Sequence, residues 1–308
     1  MMKYKKIFLI LSVTIILASC TSSQYIINLR ITDGITDKEI KFAVETNSSQ
    51  LLSEMSKAFT EKRSPDFTGI AVSPEATETV LGIWNKISVI NCNVSKLNRK
   101  CTKQCDGSYQ VRDIPVILPN VASVGDTLHK IVINYTDAGT IDAIYLSADS
   151  VPAILTEESD DKEKCRRQQI IKFIDLYYTA YNVKDIDYIS KVFKSYTSLV
   201  KGEDFPIEID YKMLSQMEYL RKLKYVFAAN KYINPEFKEI EIRQHPQCKE
   251  LYGLIIKQSW NTSIYKDTGY VFFIISFEDK NDPKIEFSIW LSENHLKQSK
   301  DEIFNLYM

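Results

Sequence analysis

The sequence predicts an α+β protein made of two tandem domains, each running helices first and an antiparallel sheet second. Three observations carry this. Apolar residues recur at helical spacing within residues 40–59 and 170–193, strand-like apolar runs follow each helical stretch, and a charged segment from Thr156 to Lys164 divides the two. With 44% hydrophobic residues, 18 tyrosines and 14 phenylalanines against only 9 glycines, the chain has the composition of a packed body and not of a disordered stalk.

The N-terminus comes first. Lys3, Lys5 and Lys6 precede an apolar stretch from Ile7 to Leu17, then Ala18 and Ser19, which is the three-part plan of an export signal. That stretch is about eleven residues, against roughly 20 for a spanning helix. Leu17-Ala18-Ser19-Cys20 resembles the lipobox of bacterial lipoproteins, so residues 1–19 are expected to be a signal peptide and Cys20 the lipidation site. The resemblance implies a partner, the lipid bilayer held through acylated Cys20, and a location in the cell envelope facing the periplasm, the outer membrane favoured. Each buried methylene adds about 0.8 kcal/mol, so several acyl chains hold essentially permanently. Residues 20–36 read as a short tether.

Residues 37–150 form the predicted N-terminal domain. Ile40, Val44, Leu51, Leu52, Met55, Ala58 and Phe59 predict a helix or a broken pair of helices over Asp37–Lys62, and Ser73-Pro74-Glu75 gives an N-cap with proline at the first helical position of a short helix to about Trp84. Strands are predicted at Ile87–Asn93, Tyr109–Leu118, Leu128–Tyr135 and Ile141–Leu146, the last two joined by a turn at Asp137-Ala138-Gly139. Residues 151–167 read as a linker, with Thr156–Lys164 either linker or the exposed start of a helix. After it, Ile170, Ile174, Tyr177 or Tyr178, and Tyr181 mark one helix; Asn182–Asp185 break it; Ile186 to Phe193 mark a second, and Met213 to Phe227 a third. Strands at Leu251–Trp260, Tyr270–Phe277 and Ile285–Leu291 close this domain, 168–293, and 294–308 form a tail. The final hairpins of the halves can be laid side by side, so the N-terminal domain reads either as a divergent copy or as an unrelated α+β unit.

Removing residues 1–19 takes away three lysines and leaves 36 basic against 40 acidic residues, which gives no sign of nucleic-acid binding. In an oxidising envelope Cys92 could pair with Cys101 or Cys105 across a short hairpin. Their spacings match no zinc pattern, and no cofactor or metal is expected.

The run Phe173-Ile174-Asp175-Leu176-Tyr177-Tyr178-Thr179-Ala180-Tyr181-Asn182, followed by Asp185-Ile186-Asp187-Tyr188-Ile189 and Phe193, resembles the opening of the nuclear transport factor 2-like superfamily. The resemblance implies helices on a strongly curved sheet, forming a cone whose mouth is catalytic in some members and a binding site or dimer face in others. Lys257-Gln258-Ser259-Trp260-Asn261-Thr262-Ser263 with Tyr265 and Gly269-Tyr270 resembles a phrase in Bacteroides-group lipoproteins of similar layout. Tyr177, Tyr181, Asp187, Trp260, Asn261 and Tyr265 are therefore the candidate surface for a ligand or partner, with core packing the competing account of the aromatics. His245 and His295 are poorly placed for general-base work, and Trp290 reads as packing. The leading expectation is a non-enzymatic module binding a small ligand or an envelope protein, with a homodimer through the C-terminal sheet also open. The alternative is an isomerase, dehydratase or hydrolase using the cone, with Asp175 or Asp187 as base.

Overall fold

The computed structural model describes residues 26–87, 95–118, 127–148, 161–204, 209–280, 282–293 and 300–308. The expected signal peptide, Cys20, Cys92, His295 and the strand at 88–93 lie outside the described residues. The described chain is α+β, with six helices and two sheets. No described helix is long and apolar enough to cross a membrane.

The N-terminal half begins earlier than expected. Within the predicted tether, Ile27, Leu29 and Ile31 alternate inward at 2, 1 and 2% exposure, and β1 (Asn28–Asp33) pairs in parallel with β2 (Lys96–Lys103). Helix α1 (Lys38–Thr60) is capped by Asp37, whose carboxylate accepts from the Glu39 and Ile40 N–H groups. One stripe of α1 serves β1 directly: Ser53, Ser49 and Glu45 accept the N–H groups of Ile27, Leu29 and Ile31 at 2.9, 2.9 and 2.7 Å. Four helical residues rise about 6 Å and two strand residues about 6.6 Å, so an i, i+4, i+8 stripe matches every second donor of an extended edge. The edge is thereby closed to further strands.

Helix α2 (Pro74–Ile87) starts where expected, with Ser73 Oγ accepting from Ala76 N–H at 3.0 Å. It takes in Ile87, the predicted start of a strand. β3 (Tyr109–Leu118), β4 (Thr127–Tyr135) and β5 (Ile141–Leu146) complete a sheet of order β1-β2-β3-β4-β5. The core beneath is filled by Val44, Leu51, Leu52, Met55 and Ala58 of α1, all at most 1% exposed.

The C-terminal half starts at α3 (Asp161–Asn182), so of the two readings of the charged segment the helix start holds from residue 161, and the linker bounds of 151–167 run too far. A break follows, and α4 (Ile186–Val192) is capped by Asp185. Phe193, expected to end that helix, opens β6 (Phe193–Asp204), which hairpins into β7 (Ile209–Leu214). Met213 is thus strand, and α5 (Gln216–Ala229) begins at a Ser215–Glu218 capping box. β8 (Ile233–Gln244), β9 (Leu251–Thr262), β10 (Lys266–Ser276) and β11 (Lys284–Ser292) form an antiparallel meander, with β6 parallel to β11. The sheet order is β7-β6-β11-β10-β9-β8. Its inner face meets α3 and α5, making the helices-on-sheet cone that the resemblance implied.

The outer face carries α6 (Lys300–Tyr307), read from sequence as part of a tail. Ile303 and Phe304 cluster there with Ile255, Phe272, Ile289 and Leu291. Gly253 lies beneath this helix, where an added Cβ would meet the Met308 sulfur and the Phe304 ring. α6 thus occupies the middle of the surface that a homodimer through this sheet would use.

The two halves share a seam along α3. The disulfide is Cys105–Cys165, between the β2–β3 turn and the first turns of α3. That corrects the hairpin pairing expected for Cys101 or Cys105: Cys101 points into the core at 4% exposure as a free thiol, pushed up by burial to about 11, while Cys105 sits in the turn facing α3. Deeper in the seam, Arg112 of β3 meets Asp175 of α3 at 2.8 Å, their side chains 9 and 0% exposed. Asp175 also accepts from Ala148 N–H at 2.8 Å, and Thr179 Oγ1 accepts from Leu146 N–H at 2.9 Å. Gln110, Asn134, Tyr145 and Ser147 extend the network around Arg112.

Candidate functional site

Between the inner face of the C-terminal sheet and helices α3 and α5 lies an open cavity of about 620 Å³. Its position follows from strand alternation. Gln258, Trp260 and Thr262 of β9, Val271 and Phe273 of β10, and Ser288 and Trp290 of β11 point inward, and all line the space. Trp290 lies against Gly269, where an added Cβ would stand 2.7 Å from the indole, so glycine is what lets the ring lie on the sheet.

The helices supply the polar part. Tyr177 and Tyr181, one turn apart on α3, join hydroxyls at 2.9 Å, and the Tyr181 hydroxyl also bonds that of Tyr219 on α5. Tyr181 stands edge-on to Trp260 at 5.2 Å and to Phe227 at 6.1 Å. Burial raises the Tyr177 and Tyr181 phenols well above their ordinary value and raises Tyr219 too, so all three remain protonated at neutral pH. Tyr177 and Tyr219 interact as well, so the three hydroxyls form one polar cluster in a space otherwise walled by aromatic and aliphatic carbon. The charged lining residues, Lys222 and Asp267, belong to the mouth, and Asp267 accepts from the Tyr265 hydroxyl.

The mouth is shaped by one turn. Thr262 Oγ1 accepts from Ile264 and Tyr265 N–H at 3.3 and 3.0 Å and donates to the Tyr265 carbonyl at 2.9 Å, which holds Ile264 and Tyr265 at the rim.

Of the six candidate residues, four come together here: Tyr177, Tyr181, Trp260 and Tyr265. Asn261 does not, because it follows Trp260 on a strand and so faces the opposite side of the sheet. Asp187 does not either; it is exposed in the first turn of α4, outside the cavity. Asp175, the other proposed base, is the buried partner of Arg112. Burial raises its carboxyl against the pull of that guanidinium, and the residue lies in the seam and not in the cavity. His245 accepts the Gln247 and Cys248 backbone N–H groups on its Nδ1, so it organises a turn. Tyr178, the immediate neighbour of Tyr177, turns to the seam, with its hydroxyl 3.4 Å from His129 Nδ1.

The residues missed were Tyr219, Gln258 and Trp290. For Tyr219 a signal existed: Ser215-Gln216-Met217-Glu218 is a capping box, and starting the helix there places Tyr219 and Leu223 on one face. Trp290 carried the alternation of its strand but nothing to tell pocket wall from packed core.

No protein-family profile and no curated protein matches the sequence. Solved structures similar to it include Bd1075 of Bdellovibrio bacteriovorus, with 16% identity over 44% of this chain and 43% of that one, at a TM-score of 0.36. Others are a nuclear transport factor 2-like protein of Cytophaga hutchinsonii (8% identity, 41% and 98% covered, TM-score 0.33) and nuclear transport factor 2 of Cryptosporidium parvum (9%, 48% and 100%, 0.33). The chain spans less than half of the Bdellovibrio protein's length.

Proposed function

We propose that this protein is a cell-envelope lipoprotein, anchored through Cys20, whose C-terminal cone binds a small, neutral, largely apolar ring compound carrying an acceptor oxygen. The observation behind this is the chain of Tyr177, Tyr181 and Tyr219 hydroxyls inside a cavity walled by Trp260, Trp290 and Phe273. Aromatic walls favour ring-shaped apolar surface, and a hydroxyl of the tyrosine cluster that turns from its neighbours to the ligand fixes orientation. A charged ligand finds no partner at that depth among the described lining residues, since Lys222 and Asp267 sit at the mouth.

Binding, not turnover, is the reading favoured by chemistry. A general base must lie within hydrogen-bond reach of the proton it takes. The raised phenols hold their protons, and Asp175 and Asp187 lie elsewhere. The isomerase, dehydratase or hydrolase alternative would have to work through the tyrosyl donors, Gln258 and Ser288, or through Asp267 and Lys222 at the mouth.

Trp260 and Trp290 provide the assay. Titration with neutral naphthols and naphthoquinones should quench tryptophan emission saturably, and Trp260→Ala should weaken binding at least about tenfold by removing a stacking wall. Absence of saturable binding across such a panel would sink the reading. Turnover of any probe that Tyr181→Phe abolishes would replace it with the enzymatic one. The anchor has its own check: Cys20→Ala should leave an unprocessed precursor without acyl label.

A further inference from the structure

We propose that the rim of the cone is a docking surface for an anionic lipid bilayer. It stands on the rim alone and holds whatever the cavity takes.

The rim has two pieces, the exposed face of α5 and the β9–β10 turn. They are fastened together: Lys231 N–H donates to Ser263 Oγ at 2.9 Å, and Ser263 Oγ donates to Asn230 Oδ1 at 3.2 Å. The same two pieces concentrate exposed apolar surface. Tyr225 is 72% exposed, Ile264 70%, Tyr265 50% and Val226 38%, and all four line the opening. Met217, on the same helix, is 79% exposed. Single exposed apolar residues are ordinary, whereas a group of them around one opening marks an interaction surface. Tyrosine in particular suits the boundary between headgroups and acyl chains.

Charge selects the partner. Arg221, Lys222, Lys224, Lys231 and Lys266 are all exposed on these segments, against Glu218 and Asp267. Glu218 is held by Ser215 with Arg221 and Lys222 acting on it, and Asp267 by the Tyr265 hydroxyl, so two acids stand against five basic groups. The chain as a whole is slightly acidic, so this excess of positive charge is local to the rim. Basic side chains interleaved with tyrosine and isoleucine form the pattern of a surface that lies on anionic headgroups and dips its apolar tips below them. The choice of a bilayer over a protein rests on the excess of basic groups, which a layer of anionic headgroups meets without a matched set of acidic side chains.

The test uses the chain from Thr21 onward, which lacks the lipidated cysteine and contains every described element. Its partition is measured on vesicles of phosphatidylcholine and on the same vesicles with roughly 30% phosphatidylglycerol. Binding should favour the anionic vesicles at least about tenfold and weaken as salt rises. Each basic residue near such a surface contributes about fivefold, so Arg221→Gln with Lys222→Gln and Lys224→Gln should lower partition roughly a hundredfold. Tyr225→Ser with Ile264→Ser and Tyr265→Ser should abolish it while leaving the far-UV spectrum unchanged. Lys38→Gln with Lys96→Gln and Lys100→Gln, in the other half, should leave it intact. Equal partition on the two vesicle types, or equal loss in the rim and control triples, overturns the proposal, as does capture by a protein with no vesicle binding.

Discussion

The two halves set the same kind of parts, a long helix over a four-strand meander, to opposite ends. In the N-terminal half α1 lays Val44, Leu51, Leu52 and Met55 against the sheet, and the hydroxyl of Tyr135 is answered by Ser48 at 2.6 Å, so the space under the helix is full. In the C-terminal half α3 presents Tyr177 and Tyr181, whose hydroxyls answer each other, and the space beyond them stays open. The added strand also differs: β1 joins the first strand of one meander, and β6 joins the last strand of the other, so β11 lies inside its sheet while β5 is an edge. Aliphatic side chains on a helix close a cone. The α3 tyrosines line one that is open.

The largest expected effect tests whether these unlike halves fold as one body. Asp175→Ala removes one member of a buried pair and should cost about 3–5 kcal/mol in denaturant unfolding, because Arg112 is left charged and dry. If Arg112→Met with Asp175→Leu recovers most of that loss, the cost belongs to the orphaned charge; a double variant as weak as the single one would give the pair itself the stabilising role. Second comes the disulfide, which closes a loop of 60 residues. Cys105→Ser with Cys165→Ser should lower stability by about 2–4 kcal/mol, and calorimetry should show the two halves melting further apart. A single unchanged transition would mean that the seam needs no covalent link.

The smallest effect separates a filled cone from an open one. Leu51→Ala, in the packed N-terminal core, should cost about 3 kcal/mol by leaving a cavity. Trp260→Ala should cost less, under about 2 kcal/mol, because one side of that ring already faces empty space. Equal losses would show that the C-terminal cone is closed in solution.

The most periodic segments were legible from the chain alone; β6, β7 and β8 were not read as strands, although β6 and β8 run twelve residues each. Helix α1, the proline-led start of α2, the break after Asn182 and strands β3, β4, β5, β9, β10 and β11 all follow from local pattern. The short polar strands were not. β2 places only Leu97 and Cys101 inward among eight residues, and β1 has too few apolar positions to outvote a neighbouring tether. Their stability comes from distant partners, the α1 stripe of Ser53, Ser49 and Glu45 among them, which no local window contains. The site divides in the same way. The α3 tyrosines stood out as a pair one turn apart, whereas Tyr219 and Trp290 reach them from residues 38 and 109 positions away from Tyr181.

What the amino-acid order determined by itself was therefore the kind of protein: α+β, two units, helices before sheets, aromatic stripes and a polar divide. Which cysteines meet, which acid is buried and which tyrosines face a cavity were decided by the tertiary structure. Periodicity is a property of neighbours in sequence, but a disulfide, an ion pair or a pocket depends on side chains that only the packing of remote elements brings within a few ångströms of one another.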